Sequence, residues 1–290
     1  GQGVAVGRKA LEANTTGDNN TAVGHFALGA NTTGGNNIAI GRESLGANTT
    51  ASNLTSVGYF ALSSNVSGSG LAAFGQGALQ NNTASNNTAL GAVTLQANTT
   101  GDANTAVGRS ALTSNTTGAR NTAVGAYALD AVTTSDQNTA VGYNALTANT
   151  TGTYNTAVGA GALESHTTGN RNTALGRTAL NNSTTGEDNT ALGYYAAVQL
   201  TTADDNTAVG SYAMRYTTTG YSNIAVGKNA LHDNTTGFQN VAIGQGALYE
   251  NETTTLNVAV GYQALEENKA EKNTAVGGYA LTDNTTGTSN

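Results

Sequence analysis

One short phrase, Asn-Thr-Ala-Val-Gly, recurs along the whole chain of 290 residues. Indexed on its glycine, it occurs seventeen times from Gly7 to Gly277, with fourteen spacings of 17 residues and two of 16. A fixed period of this kind is the signature of a repeat architecture. The sequence therefore predicts one repeat domain over residues 1–290, and because the chain does not begin with Met we expect it to be a segment of a longer fibre protein.

The unit is too short for a helical hairpin repeat, which needs more than about 30 residues. Its apolar runs are three or four residues long and are bounded by Gly and Asn, which is typical of strands. We expect one strand at Thr-Ala-Val, a second at x-Ala-Leu, and a turn at Asn-Thr-Thr-Gly whose Gly takes a positive φ. The prediction is an all-β fold, a parallel β-solenoid of seventeen coils with about 17 residues per coil, stacked about 4.8 Å apart.

Strand alternation places Val and Ala of each phrase on opposite faces. We expect Val and Leu to fill the interior, at Val107, Leu112, Val124, Leu129, Val141, Leu146, Val158 and Leu163. The Ala rows then face outward. Because so thin a coil buries little apolar area, several chains are expected to share a core through these rows, most simply around a threefold axis; a narrow monomeric solenoid is the alternative.

The Asn before each strand is expected to stack into a hydrogen-bonded amide ladder, as side-chain amides do in cross-β structures. With the index glycines it forms the predicted structural set, namely Asn104, Gly108, Asn121, Gly125, Asn138 and Gly142. The Thr-Thr pair that follows is expected to cap the turn or to form a hydroxyl ladder.

Composition excludes several classes of site. The chain has no Cys, so it has no disulfide, thiolate metal site or cysteine nucleophile. A net charge of −7 argues against a nucleic-acid partner, and the absence of a long apolar run argues against membrane insertion of this segment. His25, His166 and His232 fall at three different repeat positions and are interpreted as surface residues. We predict a non-enzymatic protein without cofactor or metal.

The two positions after each index Gly vary freely and collect most of the aromatic and many of the basic residues. In one interpretation these large side chains cover the bend between strands or pack between neighbouring chains. In the other they form a ligand ridge, in which Tyr stacks on sugars, Arg pairs with acidic groups and repetition supplies avidity. The candidate residues at these positions are Tyr194, Tyr195, Tyr212, Tyr59, Phe60, Tyr127, Tyr143, Arg109 and Arg177, and the densest aromatic stretch of the chain adds Arg215 and Tyr216.

The phrases at 104–108 and 155–159, each followed by x-x-Ala-Leu, resemble the head repeats of trimeric autotransporter adhesins, the YadA-like head family. Similar repeats occur in bacteriophage tail-fibre proteins. The resemblance implies a homotrimeric, left-handed parallel β-roll on a cell or virion surface, used for attachment. This unit is longer than the usual adhesin unit because its Asn-Thr-Thr-Gly turn is extended.

The leading hypothesis is a non-enzymatic extracellular fibre segment, an adhesin head or tail-fibre shaft. Its expected partners are further copies of the chain, in a homotrimer that can also stack end to end, and a surface glycan or host receptor. One alternative is a purely structural, self-assembling extracellular filament. Another is an ice-binding solenoid, which needs a flat, regular Thr grid; the Thr-Thr pairs argue against it because they sit in a turn and are interrupted at 66–67, 83–84 and 269–270.

Overall fold

The computed structural model describes residues 3–290, which form the predicted parallel β-solenoid with one short strand in each coil. The coils fall into two compact units, Gly1–Tyr143 and Asn144–Asn290. The first unit contains β1 Gly3–Val6, β2 Asn20–Val23, β3 Ile38–Ile40, β4 Thr55–Val57, β5 Ala72–Phe74, β6 Thr88–Leu90, β7 Thr105–Val107, β8 Thr122–Val124 and β9 Thr139–Val141. The second contains β10 Thr156–Val158, β11 Thr173–Leu175, β12 Thr190–Leu192, β13 Thr207–Val209, β14 Ile224–Val226, β15 Val241–Ile243, β16 Val258–Val260 and β17 Thr274–Val276.

Within each unit, consecutive strands pair in parallel and equivalent repeat positions lie side by side. In β7 and β8, for example, Ala106 is the partner of Ala123. The two shorter spacings keep this register, since Ala72 pairs with Thr88 in the first unit and Val258 with Thr274 in the second. The missing residue is therefore absorbed in the turn and leaves the strand ladder intact.

The interior differs from the prediction in which residue of the strand it contains. Ala106 and Ala123 are completely buried, whereas Val107, Val124, Val141 and Val158 are only half-buried. The prediction that Val fills the interior was wrong. The prediction that the Ala rows face outward and join several chains was wrong for the same reason. The physical reason is the Asn two residues before each Ala: strand side chains alternate, so an inward Asn carries the Ala inward and directs Thr and Val outward.

The outward side chains of the strands form a surface that we call the strand face. It consists of the residue before and the residue after the Ala or Ser that stands two positions before each index Gly, a residue that is buried in β2–β17. Both rows contain Thr, Val, Ile, Leu, Ala or Phe in every one of β1–β17, and neither contains a charged residue. Large apolar side chains on this face are well exposed, among them Leu90 at 47% and Leu175 at 43%.

The segment x-Ala-Leu is a series of β-turns, so the prediction of a second strand was wrong. Ala111 N–H donates to Gly108 O at 3.3 Å, and Thr113 N–H donates to Ser110 O at 3.3 Å. Both Ser110 and Leu112 have positive φ, 58° and 51°. Neighbouring coils are still bonded here, because Leu112 N–H donates to Ala128 O at 3.0 Å.

The leucine row nevertheless lies inside, as predicted. Leu112, Leu129, Leu146 and Leu163 are all completely buried. They pack the interior together with two Ala rows, one from the strand and one from the residue before the Leu. Small side chains on these rows let opposite walls of the coil approach closely enough to exclude water.

The two glycines of the repeat have different roles. The index glycines adopt positive φ, as at Gly108 with 129°. Gly101, in the Asn-Thr-Thr-Gly turn, is not among the positive-φ residues, which contradicts the prediction for that position. A glycine is required at position 101 because the neighbouring coil lies so close. An added Cβ would collide with Gly118 O of the next coil and lie 2.7 Å from Asn98 Oδ1.

Two buried asparagine rows bond the coils to one another. In the row before the strand, Asn121 N–H donates to Asn104 Oδ1 at 2.9 Å, and Asn138 N–H donates to Asn121 Oδ1 at 2.9 Å. In the turn row, Asn115 Nδ2 donates to Asn98 Oδ1 at 2.8 Å and to Gly118 O at 2.9 Å. The predicted amide ladder is confirmed, and it satisfies backbone groups that the turns leave without a partner.

The predicted threonine ladder is also present, in the turn. Thr99 Oγ1 donates to Thr116 O at 3.0 Å, and Thr116 Oγ1 donates to Thr133 O at 2.9 Å. These hydroxyls thus bond one coil to the next at the surface of the turn.

Candidate functional site

The ridge begins where each strand ends, at the index Gly. The first residue after that Gly is exposed, as at Tyr59 with 43%, while the second, such as Phe60, is half-buried and has a positive φ of 57°. Where both residues are large, the turn therefore presents two adjacent side chains at the surface, the first more exposed than the second. This geometry places rings of the same and of neighbouring coils in contact.

In the first unit the ridge residues form two clusters. One of them contains Tyr59 and Phe60, whose ring centroids are 4.3 Å apart in an edge-to-face arrangement. The guanidinium of Arg42 lies 5.7 Å from the Tyr59 ring and 6.0 Å from the Phe60 ring. These distances are those of cation–π contacts.

The other cluster of this unit joins Arg109, Tyr127 and Tyr143. The Arg109 guanidinium lies 5.7 Å from the Tyr127 ring, and the rings of Tyr127 and Tyr143 are 6.1 Å apart. Each of the three residues comes from a different coil, so the coil stacking brings them together.

In the second unit the ridge residues are more densely connected. Arg177 lies 5.9 Å from the ring of Tyr194. The Tyr194 ring is 4.4 Å from that of Tyr195 and 5.4 Å from that of Tyr212 in the next coil. Removal from water among these rings, and then the neighbouring phenols of Tyr195 and Tyr212, raise the pKa of Tyr194. Its hydroxyl is therefore a neutral donor near pH 7.

The cluster continues through the predicted residues Arg215 and Tyr216 to His232 and Tyr249, which the sequence did not single out for the ridge. Arg215 lies 5.0 Å from the rings of both Tyr212 and Tyr216. Tyr216 meets His232 edge to face at 5.1 Å, and His232 stacks on Tyr249 at 4.7 Å with an angle of 9° between the rings. His232 and Tyr249 stand at the same repeat position as Arg215, five residues after the index Gly, and this shared position is the signal that could have found them.

Two of the three histidines are not surface residues, which corrects that interpretation. His166 is completely buried in the turn asparagine row, where it replaces Asn, and its Nε2 lies 2.8 Å from Gly169 O. His232 is 7% exposed, and its Nδ1 lies 2.6 Å from Asp233 Oδ1. His25 is exposed, as expected. Loss of water around the ring lowers the pKa of His166, although Gly169 O and the charge of Glu187 act in the opposite direction.

The described residues offer neither a membrane-spanning helix nor a metal-binding group of side chains, and the chain matches no known family. Residues 3–290 contain no helix long and apolar enough to cross a membrane. Over the same residues, no three His, Cys, Asp or Glu side chains are grouped in a way that could hold a metal ion. No model of a known protein family matches the chain, and no curated protein is significantly similar to it.

Proposed function

We propose that the chain is a non-enzymatic segment of an extracellular surface fibre, in which copies of the chain pack through the strand face and the ridge contacts a target. The observation that carries this proposal is the strand face itself, two rows of apolar and Thr side chains without a charge over nine strands of one unit and eight of the other. An exposed apolar surface of this extent is typical of an interaction site.

The repeat favours another copy as the partner of this face. The side chains recur at the strand spacing of about 4.8 Å, and another solenoid with the same rise can match that spacing coil after coil. A face without charges can also meet itself without like-charge repulsion. We propose three copies, since the repeats resemble those of trimeric adhesin heads; the support no longer includes the Ala rows, which are buried within the chain.

The attachment role rests on the ridge, which is separate from the strand face in the repeat. Its tyrosines and arginines combine a large contact area with hydrogen-bond donors, the composition of energetic centres in interfaces. Recurrence in several coils adds avidity for a repeated target such as a surface glycan or host receptor. This places the segment on a cell or virion surface in our proposal.

The solution mass tests the assembly. We expect sedimentation equilibrium of the full chain to give a mass near three chains. The double variant Val107→Lys and Val124→Lys puts two charges on the strand face without entering the interior, and we expect it to dissociate to one chain with an unchanged circular dichroism spectrum. Gln245→Lys, at an exposed position after an index Gly, is the matched control.

A wild-type chain that remains monomeric at high concentration contradicts packing through this face. A mass that grows without limit and persists in the double variant would favour the self-assembling structural filament, joined through the ends of the solenoid.

One observation favours the ice-binding alternative as a second candidate. The turn hydroxyls are engaged between coils, but in residues 3–290 the hydroxyls of strand-face residues such as Thr105, Thr122 and Thr173 donate to no protein atom. They alternate with methyl-bearing side chains in a regular array that can order water. A thermal-hysteresis measurement distinguishes the two functions. If the wild-type chain is monomeric and active, and Thr105→Lys and Thr122→Lys lose that activity, ice binding replaces the fibre proposal.

A further inference from the structure

A groove in the second unit adjoins the aromatic cluster that ends at Tyr249. Its cavity measures about 430 Å³, within the range of small-ligand sites. We call it the Tyr216 groove, and it is lined by Gln199, Tyr216, Thr218, Asp233, Thr235 and Glu252. We propose that this groove binds a neutral sugar ring of a glycan, stacked on Tyr216 and hydrogen-bonded to the carboxylates. The inference rests on the proposed attachment function and names a ligand class for one of its sites.

The ring of Tyr216 is a prepared stacking surface. It is 39% exposed, yet its position is fixed by contacts on other sides. Arg215 lies 5.0 Å from the ring, and His232 meets it at 5.1 Å with an angle of 88°. His232 is itself held between Tyr249, 4.7 Å away, and Asp233. Because the ring is already ordered, stacking a ligand on it costs little side-chain entropy.

The rest of the groove offers acceptors for hydroxyl groups. Asp233 has one carboxylate oxygen 2.6 Å from His232 Nδ1, and its other oxygen is left for a ligand. Glu252 Oε1 lies 3.5 Å from Lys269 Nζ at the edge. The hydroxyls of Thr218 and Thr235 donate to the backbone of the next coil, at 3.1 and 2.9 Å, and therefore present lone pairs to the groove.

This combination fits a neutral sugar better than a charged ligand. The carboxylates of Asp233 and Glu252 repel an anion. A cation has competitors already in place, since Arg215 occupies a position over Tyr216 and Lys269 lies beside Glu252. A pyranose ring instead has an apolar C–H face for the aromatic ring and donor hydroxyls around its rim, which match the fixed ring and the surrounding acceptors.

Saturation-transfer difference NMR on the full chain tests the proposal with four neutral disaccharides: maltose, cellobiose, lactose and N,N′-diacetylchitobiose. We expect transfer to the ring C–H protons of at least one of them. Tyr216→Ala should weaken that binding at least about tenfold, whereas Tyr216→Phe keeps the stacking surface and should bind within about twofold. Tyr154→Ala is the matched control, because Tyr154 is in the same unit, is 57% exposed and lies outside the groove.

Asp233→Asn and Glu252→Gln keep the size of the side chains and remove charged acceptors, so each should weaken binding severalfold. No transfer to any of the four sugars overturns the proposal, as does binding that survives Tyr216→Ala in a chain with a native circular dichroism spectrum. The solution mass is recorded on the same samples. A chain of multiple copies that binds no sugar refutes the sugar site alone, and a monomer that binds sugar refutes the fibre assembly alone.

Discussion

The side-chain oxygen of Asn104 accepts a hydrogen bond of 2.9 Å from the backbone N–H of Asn121, seventeen residues further along the chain. The same amide donates through Nδ2 to Gly118 O at 2.8 Å. One completely buried side chain thus satisfies a backbone donor and a backbone acceptor of the next coil. Buried polar groups of this kind stabilise a structure only while every partner is present.

Asn104→Ala should therefore destabilise the first unit by about 2 kcal/mol, because it leaves the buried N–H of Asn121 without a partner and removes one of the two amides that donate to Gly118 O. Urea unfolding followed by circular dichroism measures this as a lower midpoint. Gln245→Ala, an exposed substitution, should leave the midpoint in place. Equal midpoints for Asn104→Ala and wild type would show that the amide row does not stabilise the solenoid.

The index glycines should be intolerant of any side chain. At Gly108, with φ 129°, a Cβ would lie 2.5 Å from Gly125 O, a backbone atom that cannot move aside. We expect Gly108→Ala to lower the free energy of unfolding by about 3 kcal/mol or more.

Gly77 is the matched control for this substitution. Its φ is 64°, and an added Cβ would first meet Gln96 Nε2 at 3.1 Å, the end of a flexible side chain. Equivalent positions carry side chains in other coils, such as Ser110 with φ 58°. Gly77→Ala should cost about 1 kcal/mol; similar losses at both glycines would mean that φ and close approach do not distinguish them.

Repeat length and the short apolar runs were enough to predict the parallel solenoid and the buried Leu row. The sequence also contains the signal for which side chains of the strand point inward. Asn104 and Ala106 belong to nearly constant positions two residues apart and so share a face, while the positions of Thr105 and Val107 vary among apolar residues and Thr. Constancy marked the interior better than hydrophobicity did, because buried Asn is needed for the ladder.

The turn conformation of x-Ala-Leu could not be predicted in this way. Leu rarely adopts positive φ, so its local preference points away from the 51° observed at Leu112. Hydrogen bonds to the next coil override that preference. The Tyr216 groove could not be predicted either, because Tyr216, Asp233 and Glu252 come from three different coils and meet only when the coils stack.

Positive φ at a β-branched residue should be a local weakness. Thr178 has φ 54°, at a position where other coils have Asn, for example Asn144 and Asn229. Asn tolerates this region because its short polar side chain bonds locally. Thr178→Asn should raise the unfolding free energy by about 0.5 to 1 kcal/mol, seen as a higher melting temperature.

We expect the same Thr-to-Asn change to lower the unfolding free energy when it is made in a strand. Thr190 begins β12, and Thr190→Asn replaces a strand-favouring residue by a strand-disfavouring one, at a cost of up to about 1 kcal/mol. If both substitutions shift the melting temperature in the same direction, backbone conformation is not the cause at Thr178.

His166 should make the stability of the second unit depend on pH. Its Nε2 donates to Gly169 O at 2.8 Å and its Nδ1 lies 3.3 Å from Ser183 Oγ, so both nitrogens of the buried ring have partners within the solenoid. Burial lowers the pKa of His166 from its ordinary value of 6.5. The unfolded chain then binds a proton more readily than the folded one, and the contribution is complete above pH 6.5 and falls as the pH drops below it.

His166→Asn restores the residue that most coils have in this row and removes the titrating group. We expect this variant to lose less stability than wild type between pH 7.5 and pH 5, measured as the change in urea midpoint at the two pH values. His25→Asn, at an exposed histidine, should keep the wild-type difference. All other titrating groups are common to wild type and His166→Asn, so the difference between these two proteins reports the buried imidazole. An identical loss of stability in His166→Asn and wild type would rule that imidazole out as the source of the pH dependence.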